Sequence, residues 1–408
     1  MTRLPAPKRG QEVTWVRTHL GDLAAEPAGQ IVASPAFRGG QSAADAALAA
    51  LDVAGYARDR GEVWPAGRRG ASRLSPYIRH GLLPLHRVWD HVATGPSRDV
   101  SKFRDELLWQ EYARHVYARL GRGTGAPLRH LPPQPPLTSS SSPWDRSMAC
   151  VDLAVGELER DGWLVNQARM WLASQWTVRG GWDWRTGEEA FFAHLLDGSR
   201  AANRLGWQWT VGTGTGRPYG FSRGQVRRRA PGLCETCGLR AACPIEDWPD
   251  GAPGPTIDPD PRLRTDPDAQ ATAGPSSARR LREPEVVWLT AESLGAGDPA
   301  SRSNPDLPVV FVFDEQLLAR VRLSGKRLVF LTQTLAELAE SRLLQVHRGD
   351  PVSVLDRRAV AVTFAPVPGF VRRAALLEPA ELHPYPWLVR PLDTPIASFS
   401  SWRRAMGV

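Results

Sequence analysis

A chain of 408 residues with 42% hydrophobic content is long enough for two cores of ordinary size. Four cysteines are too few for a disulfide-built fold, and no apolar run reaches the roughly 18 residues that a bilayer-spanning helix needs. The net charge of +8 is uneven: residues 1–250 hold 32 Lys plus Arg against 25 Asp plus Glu, the remainder 19 against 18.

A basic half implies an anionic partner, such as nucleic acid or a phosphate-bearing cofactor. A general preference for Arg over Lys would give the same count. The opening MTRLPAPKRGQEVTW lacks the apolar run of a secretory signal, so a cytoplasmic location and no membrane partner are expected. Of 16 tryptophans, 13 lie before residue 250, several beside polar motifs such as GGWDWR and GWQWT.

Residues 1–36 read as a lead-in with one helix, Val13 to Leu23. From residue 37 the pattern is mostly helical. SAADAALAALDVAGYARD is alanine-rich with Ser42 as its N-cap. SKFRDELLWQEYARHVYARL places Phe103, Leu107, Leu108 and Val116 at helical spacing. PPQPPLTSSSSP is a loop. MACVDLAVGELERDG puts Val151, Ala154, Val155 and Leu158 on one stripe, and Gly162 ends it. NQARMWLASQW continues helical, and GEEAFFAHLLDG is amphipathic and stops at Gly198. Residues 251–283, rich in Pro, Asp, Ser and Gly, read as a linker with no core of its own.

From residue 284 the pattern changes. VVWLT (286–290), VVFVFD (309–314), LLQVHRG (343–349) and AVAVTF (359–364) are short β-branched runs, alternating with helical stretches such as Arg327 to Leu338. Apolar strands joined by helices imply a parallel sheet covered on both faces, hence an α/β, Rossmann-like domain over 284–408. No GxGxxG follows its first strand. GTGTG at 212–216 follows no strand either, and reads as a turn.

The polar motifs fall on helix faces. Glu106, Trp109 and Gln110 share one, at i, i+3 and i+4. An aromatic beside a carboxylate can stack a flat ring and accept its N–H groups; a core Trp beside a solvated Glu is the plainer reading. Asn166, Arg169 and Met170 share another face, an odd one for a core. Asp197, Asn203, Trp207 and Trp209 crowd DGSRAANRLGWQW, and Asp197 can pair with Arg169. Cys234, Cys237 and Cys243 are spaced C-x2-C-x5-C, a metal-type arrangement whose fourth ligand is Cys150. Zinc and an iron–sulfur cluster both suit four cysteines.

In order along residues 37–209, five stretches resemble the photolyase/cryptochrome family of flavoproteins: FRGGQSAADAALAAL, SRLSPYIRHGLLPLHRVW, FRDELLWQEYAR, GWLVNQARMWLASQW and WDWRTGEEAFFAHLLDGSRAANRLGWQW. The resemblance implies a mainly α-helical FAD-binding domain of photolyase type over 37–250. By position, Tyr56, Ser72, Arg73, Leu74 and Ser75 fall where the family holds the FAD phosphates, and Gln110 and Ser199 also lie along the cofactor. Asn203 faces the reactive edge of the flavin, and Arg169 with Asp197 match the ion pair beside it. Trp207 and Trp184 match the first steps of a tryptophan chain that reduces the flavin in light, with Trp144, Trp171 and Trp176 as candidates for its outer step. Four positions depart from the family: Gln110 for Arg, Ala71 for Thr, Ser199 for Asp or Asn, and Val165 for His. They bear on redox tuning more than on flavin binding.

The resemblance also implies a function, blue-light-driven repair of UV-damaged DNA by splitting cyclobutane pyrimidine dimers flipped from the duplex. Glu106 would accept hydrogen bonds from the lesion, Trp109 and Trp209 would stack on it, and Asn166 and Met170 would steady it. Six-four repair in relatives depends on a histidine at the position of Asn166 and another four residues on; neither stands here. A cryptochrome photosensor, which repairs nothing, is the alternative. The iron–sulfur bacterial branch carries a cubane cluster on cysteines laid out like Cys150, Cys234, Cys237 and Cys243, which favours [4Fe–4S] over zinc; that branch is associated with six-four repair, which points the other way. In the family the α/β antenna domain comes first. Here EPEVVWLTAE, VVFVFDEQLL and GKRLVFLTQTLAELAE resemble it but come last, so the chain reads as a circular permutant with a reduced antenna domain and an unknown antenna chromophore. A monomer is expected.

Overall fold

The computed structural model describes residues 1–133, 144–249 and 253–408. Most of the Pro- and Ser-rich loop expected at 132–143 lies outside the described residues. The first half runs β1 (Thr2–Leu4), α1 (Glu12–Leu20), α2 (Gln41–Ala49), α3 (Ser75–Arg79), α4 (Ser97–Leu120), α5 (Ala149–Asp161), α6 (Asn166–Ser174), α7 (Trp184–His194), α8 (Arg200–Val211) and α9 (Arg223–Arg229). The second runs β2 (Arg279–Arg280), β3 (Val286–Leu289), β4 (Val309–Asp314), α10 (Gly325–Leu338), β5 (Leu344–Gly349), β6 (Val360–Thr363), β7 (Glu381–His383) and α11 (Phe399–Met406), with short helices between.

Strand alternation builds the sheet. Val287, Leu289, Val309, Phe311 and Phe313 turn to one face, where they meet α10 and Trp15, Val16 and Leu20 of α1. Val286, Trp288, Val310 and Val312 turn to the other, against Leu355, Phe364 and Phe370. This period of two is the pleat itself. The order is β1-β5-β4-β3-β6-β7-β2. Its five central strands pair in parallel, as the sequence implies. Both edges are antiparallel: β1, from the expected lead-in, pairs with β5, and β2, from the expected linker, pairs with β7.

The stretch from 253 to 283 is not a bare tether. Leu263 is buried, and Asp266 accepts the Arg119 Nε of α4 at 3.0 Å in a buried ion pair. Ser42 is not a cap either. It lies inside α2, which starts at Gln41 behind Gly40. The end of α2 is closed instead by Glu337 of α10, which accepts Ser42 N at 2.7 Å and Ser42 Oγ at 2.9 Å.

The two halves share their core and their hydrogen bonds. His80, fully buried, lies between Ala291 O (2.8 Å) and Leu196 O (3.1 Å). Past the sheet the tail returns to α4: Glu111 Oε1 accepts Leu388 N and Val389 N at 2.6 and 3.0 Å, and Tyr112 donates to Ile396 O at 2.9 Å. No helix among the described residues is long and apolar enough to cross a membrane.

Candidate cofactor site and cysteine cleft

Helices α6 and α8 hold the polar centre of the first half. Helix α6 leaves the loop after Gly162, whose positive φ of 67° ends α5 as the sequence implies. Arg169 on α6 donates through Nη2 to Asp197 Oδ2 at 2.7 Å and through Nε to Leu164 O at 3.0 Å. The expected ion pair therefore forms, and it is largely buried. Asp197 sits in the turn before α8, whose N-cap is Ser199, accepting Ala201 N at 3.2 Å. Ser199 thus spends its oxygen on the helix end.

Two buried polar atoms of this stretch have no partner among the described residues: Asp197 Oδ1 and Asn203 Nδ2. Leaving such groups unpaired costs about 1–3 kcal/mol each. An acceptor and a donor held open within seven residues suit a heteroaromatic ring whose edge both donates and accepts. The donor set is therefore the kind a flavin requires.

The other expected cofactor residues lie earlier in the chain, between residues 56 and 110. Tyr56 packs its ring on Phe103 of α4 at 4.8 Å, and burial pushes its phenol pKa up. Arg73 takes a positive φ of 59°, rare for a residue with a side chain. It lies over Phe37 and Trp163, while Ser75 accepts Trp163 Nε1 at 3.0 Å. Ser72 turns its Oγ to Leu74 N, and Leu74 is buried. Gln110 is half-buried on α4.

On the expected lesion face, Asn166 is exposed and its Nδ2 lies 3.6 Å from Met170 Sδ, so the two do share one face. Trp209 is 41% exposed and packs on Tyr219. Glu106 is paired with Lys102 at 3.0 Å and Arg60 at 3.2 Å. Trp109 is half-buried against the core between α4 and α8.

The tryptophans form a connected ladder that includes two of the candidates for the outer step, Trp144 and Trp176, and one tryptophan not singled out from sequence, Trp182. Trp207 meets Trp176 edge-on at 6.2 Å, and Trp176 meets Trp144 at 5.0 Å and Trp182 at 5.7 Å. Among the described residues the ring contacts of Trp207 are with Trp176 and Phe191, not with Trp184. Trp184 is buried, with Arg185 over its ring. Trp171 stacks on Phe221, away from this ladder. Gly187 on α7 makes the approach of Trp207 feasible: a Cβ there would lie 2.2 Å from Trp207 Cη2. No spacing in the sequence marks Gly187.

The four cysteines converge. Cys150, in the first turn of α5, and Cys234, Cys237 and Cys243 all line one narrow cleft with Met148, Val226, Leu233 and Ile245. None is in a disulfide. Burial, then the neighbouring Cys234 and Cys243, push the Cys150 thiol up to about 12. Burial also raises Cys234. Apolar walls keep thiols protonated unless a cation compensates. Among the described residues no group of three or more His, Cys, Asp or Glu is arranged to hold a metal ion.

Residues 103–226 match the family described as FAD binding domain of DNA photolyase. Together with the fold, this makes the helical half a photolyase-type FAD-binding domain. The deoxyribodipyrimidine photo-lyase of Synechococcus sp. is 30% identical over 159 residues, 36% of this chain and 33% of that protein. That of Thermus thermophilus is 34% identical over 200 residues, 44% of each. A solved cryptochrome from Synechocystis sp. is similar over 48% of this chain and 44% of that one, at 24% identity and a TM-score of 0.43. The family match and the two curated photo-lyases agree with the resemblance read from residues 37–209. The chain spans less than half the length of the curated relatives named here.

Proposed function

We propose that the protein is a light-driven, FAD-dependent lyase that splits cyclobutane pyrimidine dimers in UV-damaged DNA. One observation carries the reading: Asp197 Oδ1 and Asn203 Nδ2 stay open beside the Arg169–Asp197 pair, within the segment matched to the FAD binding domain. Reduced FAD, when bound, supplies the blue-light absorber and the electron. Asn203 donates to the ring edge, and Tyr56 with Ser72, Arg73, Leu74 and Ser75 flanks the phosphates. Gln110 and Ser199 line the cofactor. Trp207 and Trp184 belong to the electron path, which Trp176 extends outward.

The lesion lies against Glu106, Trp109, Asn166, Met170 and Trp209. Asn166 donates hydrogen bonds and Met170 offers an adaptable apolar contact, but neither is a proton source. That favours the cyclobutane dimer over the six-four product, whose repair needs a proton moved. One observation favours a second reading, a cryptochrome-type photosensor: the Glu106 carboxylate is already paired with Arg60 and Lys102. Both pairs are partly exposed, and such pairs are worth only about 0–1 kcal/mol, so a lesion can displace them. The test is to illuminate the reduced protein with oligonucleotides carrying each lesion and count restored pyrimidines. Restoration of the six-four substrate alone overturns the assignment, and restoration of neither favours the photosensor.

The cysteine cleft is read as the seat of one [4Fe–4S] cluster with a structural role. A single zinc ion would need four sulfurs about 2.3 Å from one point. The layout of Cys150, Cys234, Cys237 and Cys243 resembles that of the iron–sulfur branch, and that resemblance favours the cluster over zinc. Replacing Cys237 by Ser should give insoluble or cluster-free protein, because ligands from two distant segments bind metal and fold together. Zinc without iron or sulfide in the wild type rejects the assignment. The same reading includes the circular permutation, a monomeric state and a cytoplasmic location.

A further inference from the structure

Beyond Trp209 the lesion face continues in two aromatic rings, Tyr219 and Trp248, that none of the assigned roles uses. Trp209 meets Tyr219 at 5.2 Å and a tilt of 37°. Tyr219 meets Trp248 edge-on at 5.9 Å. Trp248 is 51% exposed, an unusual surface for so large an apolar ring. The run begins beside the lesion face, because Gln167, next to Asn166 on α6, donates to the Tyr219 hydroxyl at 2.9 Å. It is also held in place. Gly220 leaves room for Trp248 and Pro249: a Cβ at Gly220 would lie 2.3 Å from Pro249 Cδ and 3.2 Å from Trp248 Cε3.

The carboxylates of Glu246 and Asp247 precede Trp248, Glu246 held by Arg223 at 2.7 Å, and the cations gather on one helix. Helix α9 ends in Arg227, Arg228 and Arg229. Arg229 is drawn to Glu62 at 3.1 Å, and Arg227 is only loosely paired with Glu235 at 4.0 Å. Arg227 and Arg228 are exposed, and the positive charge of Arg228 and Arg229 reaches the Tyr219 phenol. Aromatic rings in sequence beside exposed guanidinium groups suit an unpaired nucleic-acid strand. Bases stack on rings whatever their identity, and phosphates meet the cations.

We propose that Trp248 is the outer step of a stacking platform, Trp209–Tyr219–Trp248, which takes an unpaired base of the strand next to a flipped lesion while Arg227 and Arg228 hold its phosphates. This rests on the reading of the protein as a DNA-repair enzyme. The platform stabilises the opened duplex and takes no part in the chemistry. It therefore sets affinity for damaged and single-stranded DNA, and leaves affinity for intact duplex unchanged.

The test uses the FAD-loaded full chain and fluorescence anisotropy. The probes are a single-stranded oligonucleotide, a duplex with one cyclobutane dimer and the intact duplex. Stacking of one base on an aromatic ring converts to about a 10-fold change in affinity. Trp248→Ala should lose about 10-fold for the first two probes and nothing for the third. Trp248→Phe should keep most of the affinity. In Arg227→Ala/Arg228→Ala the slope of log K against log salt on the single strand should flatten by about 1.4, two phosphate contacts at about 0.7 each. Flavin content equal to wild type shows that each variant is folded. Wild type that binds the dimer duplex tightly, with Trp248→Ala binding it equally, overturns the platform alone. Wild type that binds none of the three probes overturns the DNA reading and the platform with it.

Discussion

The helical half and the sheet half differ in what they bury. Strands β3, β4 and β6 turn Val, Leu, Phe, Trp and Ala into two continuous cores. Helices α6, α7 and α8 bury Asp197, Asn203, Trp184 and Trp207 with Oδ1, Nδ2 and both indole N–H groups lacking partners among the described residues. Such groups are a cost to the fold until a ligand or an ordered water meets them. Among the described residues the sheet half leaves Arg327 Nε, His347 Nε2 and His383 Nε2 without hydrogen bonds on three separate elements, whereas open groups crowd residues 184–207 of the helical half, and that crowding teaches where to look for function in a chain of this kind.

The sharpest way to break that comparison is at Asp197. Asp197→Ala leaves the Arg169 guanidinium largely buried without its carboxylate. Breaking a buried pair from one side costs about 3–5 kcal/mol. We expect a lowered urea midpoint and almost no flavin retained after gel filtration, read from the ratio of flavin to protein absorbance. Asp197→Asn should lose flavin with a smaller loss of stability. Full flavin in both variants would mean that the open groups serve no cofactor.

A second test asks whether the tail that returns to α4 is as firmly set as the sheet. His115 accepts Trp402 Nε1 on Nδ1 at 2.9 Å, so its proton sits on Nε2 and goes to Val389 O at 2.7 Å. Burial lowers its pKa to about 4, the Val389 carbonyl opposes, and Arg119 and Arg114 lower it further. A base whose folded pKa lies below its unfolded value takes up a proton on unfolding between the two. Stability is therefore full above about 6.5 and falls as pH drops toward about 4, by on the order of 3 kcal/mol. His80, lowered in the same direction by burial and then by Arg79 and Arg327, adds to the slope. His115→Gln should flatten the fall in urea-derived stability from pH 7 to pH 4.5. An unchanged slope would place the proton uptake elsewhere.

How far each half could be read from sequence follows from the same difference. VVFVFD is β4 to the residue, because a strand buried on both faces is written in its apolar run. Strands β1, β2 and β7 have two or three residues each, too few to show a period. The Arg169–Asp197 pair was legible as two opposite charges able to pair, and its place beside a flavin came from the family resemblance. Arg327 was not legible at all. It reaches from α10 into the other half and donates to Gly198 O at 2.7 Å, next to Asp197, where Arg79 Nε also donates at 2.9 Å. Its acceptors are backbone carbonyls, which leave no mark in a sequence.

That link sharpens the comparison, because it makes the sheet half a support for the helical one. Arg327→Ala should leave carbonyls of the 192–198 loop short of donors, at about 1–3 kcal/mol. Arg79→Ala should cost less, since Arg327 remains. If the two arginines hold one carbonyl together, the double variant should depart from additivity by at least 0.5 kcal/mol in urea unfolding. Additive losses would show two independent anchors.

The smallest expected effect lies at Glu337, where the sheet half closes a helix of the first half. Its carboxylate stands at the positive end of α2, with Ser42 N at 2.7 Å and Arg9 at 3.5 Å. A charge placed there contributes about 0.3–1 kcal/mol beyond the hydrogen bond, and salt screens it. Glu337→Gln keeps an acceptor and loses the charge, so its loss of stability should shrink as salt rises. Glu337→Ala removes the cap as well and should cost about 1 kcal/mol at any salt. Flavin content should stay at the wild-type level in both, because α2 carries none of the open groups around Asp197 and Asn203. A loss of flavin from either variant would show that the two halves are coupled through α2 as well as through Arg327.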